Sequence, residues 1–113
     1  MRTDAKRLGD ILEAVSRIED HAVSTWEAYE ADEVRRWFFL KQVEIISEAA
    51  WKISADLKIA NPHVPWKKIA GMRHILVHEY WEVDWDLLWR VLTEELVPLR
   101  RHMERMLHDS GAG

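Results

Sequence analysis

The chain has no cysteine, which excludes disulfides and thiolate metal sites and fits a reducing compartment, so the cytoplasm is the expected location. It has no apolar run longer than "WFFL", far short of the ~20 residues that a membrane helix needs. Its opening, "MRTDAKRLGDILEAV", is too charged for a signal peptide, and no membrane partner is expected. Net positive charge is also lacking: the formal value is −4, which argues against a protein that coats nucleic acid through its overall field. Any such role must be local. No stretch alternates apolar and polar residues for long enough to propose a strand.

What remains is helical spacing nearly everywhere, which reads as an all-α chain. At 113 residues the length suits one domain with a real core; residues 1–108 are read as that domain and 109–113 as a flexible tail. Leu8, Ile11, Leu12, Val15 and Ile18 give an apolar stripe to a helix over about 4–22. The pattern lapses in "HAVSTWEAYEADE". A second helix over about 32–57 carries Phe39, Val43, Ile46, Ala50, Ile53 and Leu57. "NPHVPW" stops it, and Pro65 opens a short third helix to about His78, because a first-turn residue needs no amide proton. Asp84 reads as the N-cap of a fourth helix striped by Trp85, Trp89, Leu92, Leu96, Leu99, Met103 and Met106. Pro98 removes a hydrogen bond within it and predicts a bend near Glu94. Short connections make an antiparallel four-helix bundle with a bent last helix the economical fold. Seven tryptophans are many for a thin bundle to hide, so a homodimer sharing some of them is expected.

The chemistry concentrates in "GMRHILVHEYW". From Lys58 to His78 there is no acidic residue, while Lys58, Lys67, Lys68, Arg73, His63, His74 and His78 all fall in that window. A guanidinium that grips phosphate and an imidazole that exchanges protons near neutrality suffice to break RNA, which supplies its own 2′-hydroxyl nucleophile. On a regular helix, however, Arg73 and His78 stand roughly 140° apart. They converge only if the helix ends near His78 or if a second chain brings its own pair. Arg73, Val77 and Tyr80 would share a stripe if the helix persists, as would His74 and His78. The plainer alternative is a surface ion pair for Arg73, histidines that finish a helix C-terminus, and a packed Tyr80 ring. The spacing of "HILVH" could chelate a metal, but Ile75 stands where a zinc protease has its glutamate and no third ligand presents itself. Neither a metal nor a cofactor is expected.

Four segments together resemble the HEPN superfamily and, within it, the HepT-like toxins: "LGDILEAVSRIED", "VEIISEAAWKIS", "VPWKKIAGMRHILVHEYWEVDWDLLWRVL" and "ELVPLRRHM". In the third, proline-tryptophan opens a short helix, followed by arginine, a polar residue, three residues and histidine, a tyrosine two further on, and an aspartate before the last helix. The resemblance implies a metal-independent ribonuclease whose Arg73 and His78 work at a cleft between two protomers. It implies that Tyr80 accepts AMP from a cognate MNT-type nucleotidyltransferase antitoxin, which would place negative charge where RNA phosphate binds. His74 departs from the asparagine or aspartate usual at that position; a second proton-transfer group, a preserved hydrogen bond and a weakened nuclease all fit it. Glu48 is read as structural.

Two functions of different class follow. The first is a cytoplasmic, homodimeric, toxin-like ribonuclease in which Arg73 steadies phosphate, His78 moves the proton, His74 assists, Tyr80 is the regulatory acceptor, and Lys67 and Lys68 guide RNA. The second is a non-catalytic module that uses the same face to bind a partner protein or a nucleotide.

Overall fold

The computed structural model describes residues 2–109; residues 110–113, most of the expected tail, lie outside the described residues. The elements in chain order are α1 (Asp4–Asp20), α2 (Trp26–Ala31), α3 (Glu33–Lys52), α4 (Ala55–Ala60), α5 (Trp66–Leu76), a 3₁₀ turn (Glu79–Trp81), α6 (Trp85–Arg90), a π-helical turn (Val91–Glu95) and α7 (Leu96–Asp109). Among the described residues there is no strand, only an isolated antiparallel bridge between Val77 and Val83. Nor is any helix long and apolar enough to cross a membrane.

Most starts are set by side-chain caps that satisfy otherwise unpaired amides. Thr3, Thr25, Asp32, Ser54 and Asp84 each accept the backbone N–H three residues on. Asp32 also pairs with the Arg35 guanidinium at 3.0 Å. Its backbone and side-chain hydrogen bonds from Arg35 hold its carboxyl below the usual carboxylate range.

The long elements α1, α3, α5 and α6–α7 form a four-helix bundle. Arg7 near the start of α1 donates to the Lys52 carbonyl at the end of α3, and Arg35 near the start of α3 donates to the His21 carbonyl just beyond α1, so the two run antiparallel. Ser47 faces Ile69 and Glu44 faces Arg73, which sets α5 antiparallel to α3. His63 against His102 and Lys68 against Glu95 do the same for α5 and the last helix. The core they enclose includes Leu8, Ile11, Val15, Phe39, Val43, Ile46, Leu76, Leu88 and Met103, all at most 2% exposed. Tyr29 on α2 is buried with them and donates its hydroxyl to the Trp85 carbonyl at 2.7 Å, which ties α2 to the start of α6. Burial pushes that phenol far above its ordinary range.

The structure departs from the sequence expectations in four places. "HAVSTWEAYEADE" contains a helix after all, because Thr25 caps it and Tyr29 anchors it. The expected second helix is two: Ser54 accepts the Leu57 amide to start α4, and Asp4 of α1 accepts both the Ser54 amide and its hydroxyl. The third helix stops at Leu76, because Val77 turns extended to pair with Val83. The shared stripes of Arg73 with Tyr80 and of His74 with His78 therefore do not exist. In the last helix the interruption falls where Pro98 leaves the Glu94 carbonyl without its α-helical donor, and the local form is a π-turn. A π-turn adds a residue, so the buried series runs Leu88, Val91, Leu96, Leu99, Met103, Met106 with a five-residue step across it. Trp85, Trp89 and Leu92, expected on the stripe, are only partly buried.

Candidate active site

Helix α3 has two working faces. Phe39, Val43, Ile46 and Ala50 enter the core. Glu44, Ser47, Glu48 and Trp51, at helical spacing along another face, form one wall of an open groove of about 1020 Å³. The opposite wall is α5, which contributes Trp66, Lys67, Ala70, Gly71, Arg73 and His74; Lys58 and Val64 close one end. A buried hydrogen bond from Ser47 Oγ to the Ile69 carbonyl, 3.1 Å long, fixes the two walls against each other.

Arg73 reaches this groove from the last turn of α5. Its Nε lies 3.9 Å from Glu44 Oε1, a loose ion pair, and its guanidinium sits 5.1 Å from the centre of the Trp81 ring. A guanidinium over an aromatic face is attracted by the ring quadrupole. With 40% of its side chain exposed, Arg73 keeps donors available to an anion. His74 follows it on the groove rim and is exposed.

His78 lies beyond the helix end with extended backbone angles (φ −101°, ψ −162°). Its amide donates to the Glu82 carbonyl at 2.8 Å, while Asp84 donates to the Leu76 carbonyl at 2.8 Å. These bonds and the Val77–Val83 bridge pinch off a tight loop. At its tip Tyr80 and Trp81 both hold positive φ, 56° and 61°, a left-handed conformation that costs non-glycine residues roughly 1–2 kcal/mol each. The loop's closing bonds offset that strain, and the result is a display: Tyr80 is 98% exposed, while Trp81 folds back onto Arg73.

Of the residues singled out in the sequence, the structure brings Lys67, Arg73 and His74 into one groove. Lys68 faces elsewhere and pairs with Glu95 at 2.8 Å. His78 and Tyr80 belong to the adjoining loop. Since α5 ends at Leu76, His74 and His78 no longer have the helical spacing that a shared metal would need, and no group of three or more potential metal ligands occurs among the described residues. Glu48, read as structural, lines the groove and pairs with Lys52 at 3.0 Å. Glu44, Trp51 and Trp81 were not singled out. The first two were legible in principle, as the i, i+7 ends of a polar and aromatic stripe on α3; Trp81 had no signal, because its contact with Arg73 depends on the positive φ of the turn.

The family "Ribonuclease HepT-like" matches residues 11–106, from α1 to the last turns of α7. The chain belongs to the HepT-like ribonuclease family. Among individual proteins, one from Thermococcus cleftensis named as a probable ribonuclease HepT is 32% identical over 106 residues, 93% of this chain and 96% of its own length. One from Methanocaldococcus jannaschii named as a putative RNase is 31% identical over 98 residues, covering 86% and 90% of the two chains. No solved structure matches the chain.

Proposed function

We propose that this HepT-like protein is a toxin-like, metal-independent endoribonuclease that works as a homodimer in the cytoplasm. Arg73 binds the scissile phosphate and stabilises the charge that develops on it. His78 transfers the proton between the 2′-hydroxyl and the departing 5′-oxygen, with His74 as an assisting group on the groove rim. The 2′-oxygen forms a bond to phosphorus as the bond to the 5′-oxygen breaks, which leaves a cyclic phosphate and a free 5′-hydroxyl. Lys67 guides the RNA backbone; Lys68, paired with Glu95, contributes field rather than contact.

The observation that carries this reading is the end of α5 at Leu76. An unbroken helix would set Arg73 and His78 on different faces, whereas the extended turn at Val77 and His78 frees the imidazole from the helix and leaves it exposed in the loop that follows Arg73's helix. A second copy across a twofold axis then completes a cleft from two such pairs. The same turn supports the regulatory half of the proposal. Tyr80 stands almost fully exposed, as an acceptor for AMP delivered by an MNT-type nucleotidyltransferase must, and is followed directly by the tryptophan that touches Arg73. Added phosphate there would compete with RNA for the guanidinium.

The test has two parts. Arg73→Ala should lower RNA cleavage by about 10²- to 10³-fold, the range for loss of a group that stabilises developing charge, and His78→Ala by about 10²- to 10⁴-fold, the range for loss of a positioned acid–base group. Intact-mass analysis of protein made with and without the nucleotidyltransferase should show added AMP on Tyr80 only in the first. Cleavage that survives both alanine variants would remove the nuclease assignment and favour a non-catalytic binding module.

A further inference from the structure

The groove between α3 and α5 continues past Arg73 for the length of its α3 wall. Glu44, beside Arg73, and Trp51, at the far end, are seven residues apart, or about 10 Å along the helix axis. The far end is unlike the rest. The Trp51 indole is 72% exposed, yet it is held in place: Lys58 lies with its ammonium 6.0 Å from the ring centre and donates to the Trp51 carbonyl at 3.1 Å. Lys58 is itself fixed by α4, which Ser54 and Asp4 pin to α1. A large aromatic face, flanked by a cation and open to a groove, is the arrangement that proteins use to stack an unpaired base and hold its phosphate.

The floor between the two ends is also cleared. Gly71 sits in the middle of α5, where glycine costs roughly 1 kcal/mol relative to alanine. A Cβ at this position would meet nothing within 4 Å, so no packing inside the chain requires the glycine. Gly71 lines the groove, so a large side chain there would enter it. The charge balance selects among occupants. Lys58, Lys67 and Arg73 line the groove, and its two acids, Glu44 and Glu48, already face Arg73 and Lys52, so the groove as a whole favours an anion with apolar faces.

We propose that this groove is a subsite for single-stranded RNA, in which a base flanking the phosphate held at Arg73 stacks on Trp51 while Lys58 and Lys67 take the backbone. This rests on the ribonuclease reading and extends it. It names the substrate class, because a base within a duplex has no free face to offer, and it adds Trp51, Lys58 and Gly71 to the binding surface.

The test uses the full chain and a short, labelled 2′-O-methyl RNA, which lacks the 2′-hydroxyl nucleophile and so reports binding without cleavage. In fluorescence anisotropy, Trp51→Ala should weaken single-strand binding by about 5- to 150-fold, the range for loss of one stacked base, and Trp51→Phe should restore most of it. Gly71→Leu, which fills the floor at a position with open space, should weaken binding comparably. Duplex RNA should be indifferent to Trp51→Ala. Unchanged single-strand binding in Trp51→Ala, or no binding by the parent chain, would overturn the proposal. So would sedimentation showing that Trp51→Ala or Gly71→Leu turns a dimer into monomers, because a second copy would then be the occupant. Cleavage of ordinary RNA separates the two levels. A parent chain that binds through Trp51 without cutting removes the nuclease alone, and one that cuts independently of Trp51 removes this subsite alone.

Discussion

Helix α3 invites a comparison between its two sides. Toward α1 it is mostly dry: Phe39, Val43, Ile46 and Ala50 are at most 1% exposed, and apart from the buried Gln42, which accepts from Arg17 at 3.5 Å, the polar contacts lie at the helix ends, where Arg7 and Arg35 bind terminal carbonyls. Toward α5 the same helix presents two glutamates, a serine and an exposed tryptophan to an open groove. One side spends its residues on stability. The other leaves an aromatic face and a guanidinium uncovered and places a strained, exposed loop at its end. Stability and recognition are thus separated by about a third of a turn of one helix, which allows each to be perturbed without the other.

The largest expected effect tests that separation directly. Phe39→Ala should destabilise the fold by about 3–5 kcal/mol, the usual range for deleting a buried phenyl ring. Trp51→Ala, twelve residues on in the same helix, should stay within about 0.5 kcal/mol, as exposed substitutions do. Denaturant midpoints at constant m-value would measure both. A Trp51→Ala loss comparable with that of Phe39→Ala would mean that the groove wall is core and that the comparison fails.

Next in size is the connection between the loop and the last helix. Asp84 Oδ1 accepts the Leu87 amide at 3.0 Å, and Asp84→Ala should cost about 1 kcal/mol, the typical value for an N-cap, with Asp84→Asn losing only a fraction of that. Thermal unfolding of the three proteins would order them. If the asparagine variant fell as far as the alanine one, the carboxylate would be serving something other than the cap.

Asp84 and Pro98 also mark how much of the fold could be read in advance. Both act locally: a cap needs only its own turn, and a proline acts on the carbonyl four residues back, so the start of α6 and the interruption near Glu94 were legible. The form of the interruption was not. A π-turn shifts the apolar frame by one residue, and the 3-4 spacing through Trp85, Trp89 and Leu92 hid the true buried positions Leu88 and Val91. The end of α5 was beyond local reading for a different reason, since it is set by Val77 meeting Val83 across a loop and nothing in "HILVHEY" itself stops a helix. Ser54 was a usable local signal that the continuing apolar stripe to Leu57 concealed. In the site, Arg73, His78 and Tyr80 stood out by residue type, whereas Trp51 and Glu44 matter only because α5 lies opposite them.

A smaller effect of opposite sign comes from the groove floor. Gly71→Ala should stabilise α5 by up to about 1 kcal/mol, since alanine is the better helix former and its methyl group meets open space. Gly9→Ala in α1, where a Cβ also meets nothing within 4 Å and which lies outside the groove lining, should gain a similar amount and serves as the control. Equal gains with unequal effects on RNA binding would sharpen the division between the two sides of the bundle. A destabilising Gly71→Ala would show that the glycine is structural.

The smallest expected effect lies where α5 meets α7, away from the groove. His102 is 5.7 Å from His63, ring centre to ring centre, and its partial burial, then the neighbouring His63 and Arg105 charges, lower its pKa from the ordinary 6.5. The folded protein therefore binds a proton at His102 less readily than the unfolded chain does. By linkage, stability rises with pH wherever the unfolded state holds more protons, so this contribution is fully present above the unfolded value and declines as the pH falls from about 6.5 toward the lower folded value. Because carboxylates titrate below that window, the useful quantity is the difference between the parent and His102→Gln, which cannot titrate there. As the pH is lowered from about 7.5 to about 5.5, the difference in urea midpoint should move in favour of His102→Gln, and His63→Gln should show a weaker form of the same trend, because it removes one repelling charge and leaves the burial. A difference that stays flat across the window would mean that His102 titrates alike in the folded and unfolded chains. The packing of the segment that leads into α5 against α7 would then be looser around His63 and His102 than the ring contact implies, while the buried Leu99, Met103 and Met106 would still hold α7 to the core.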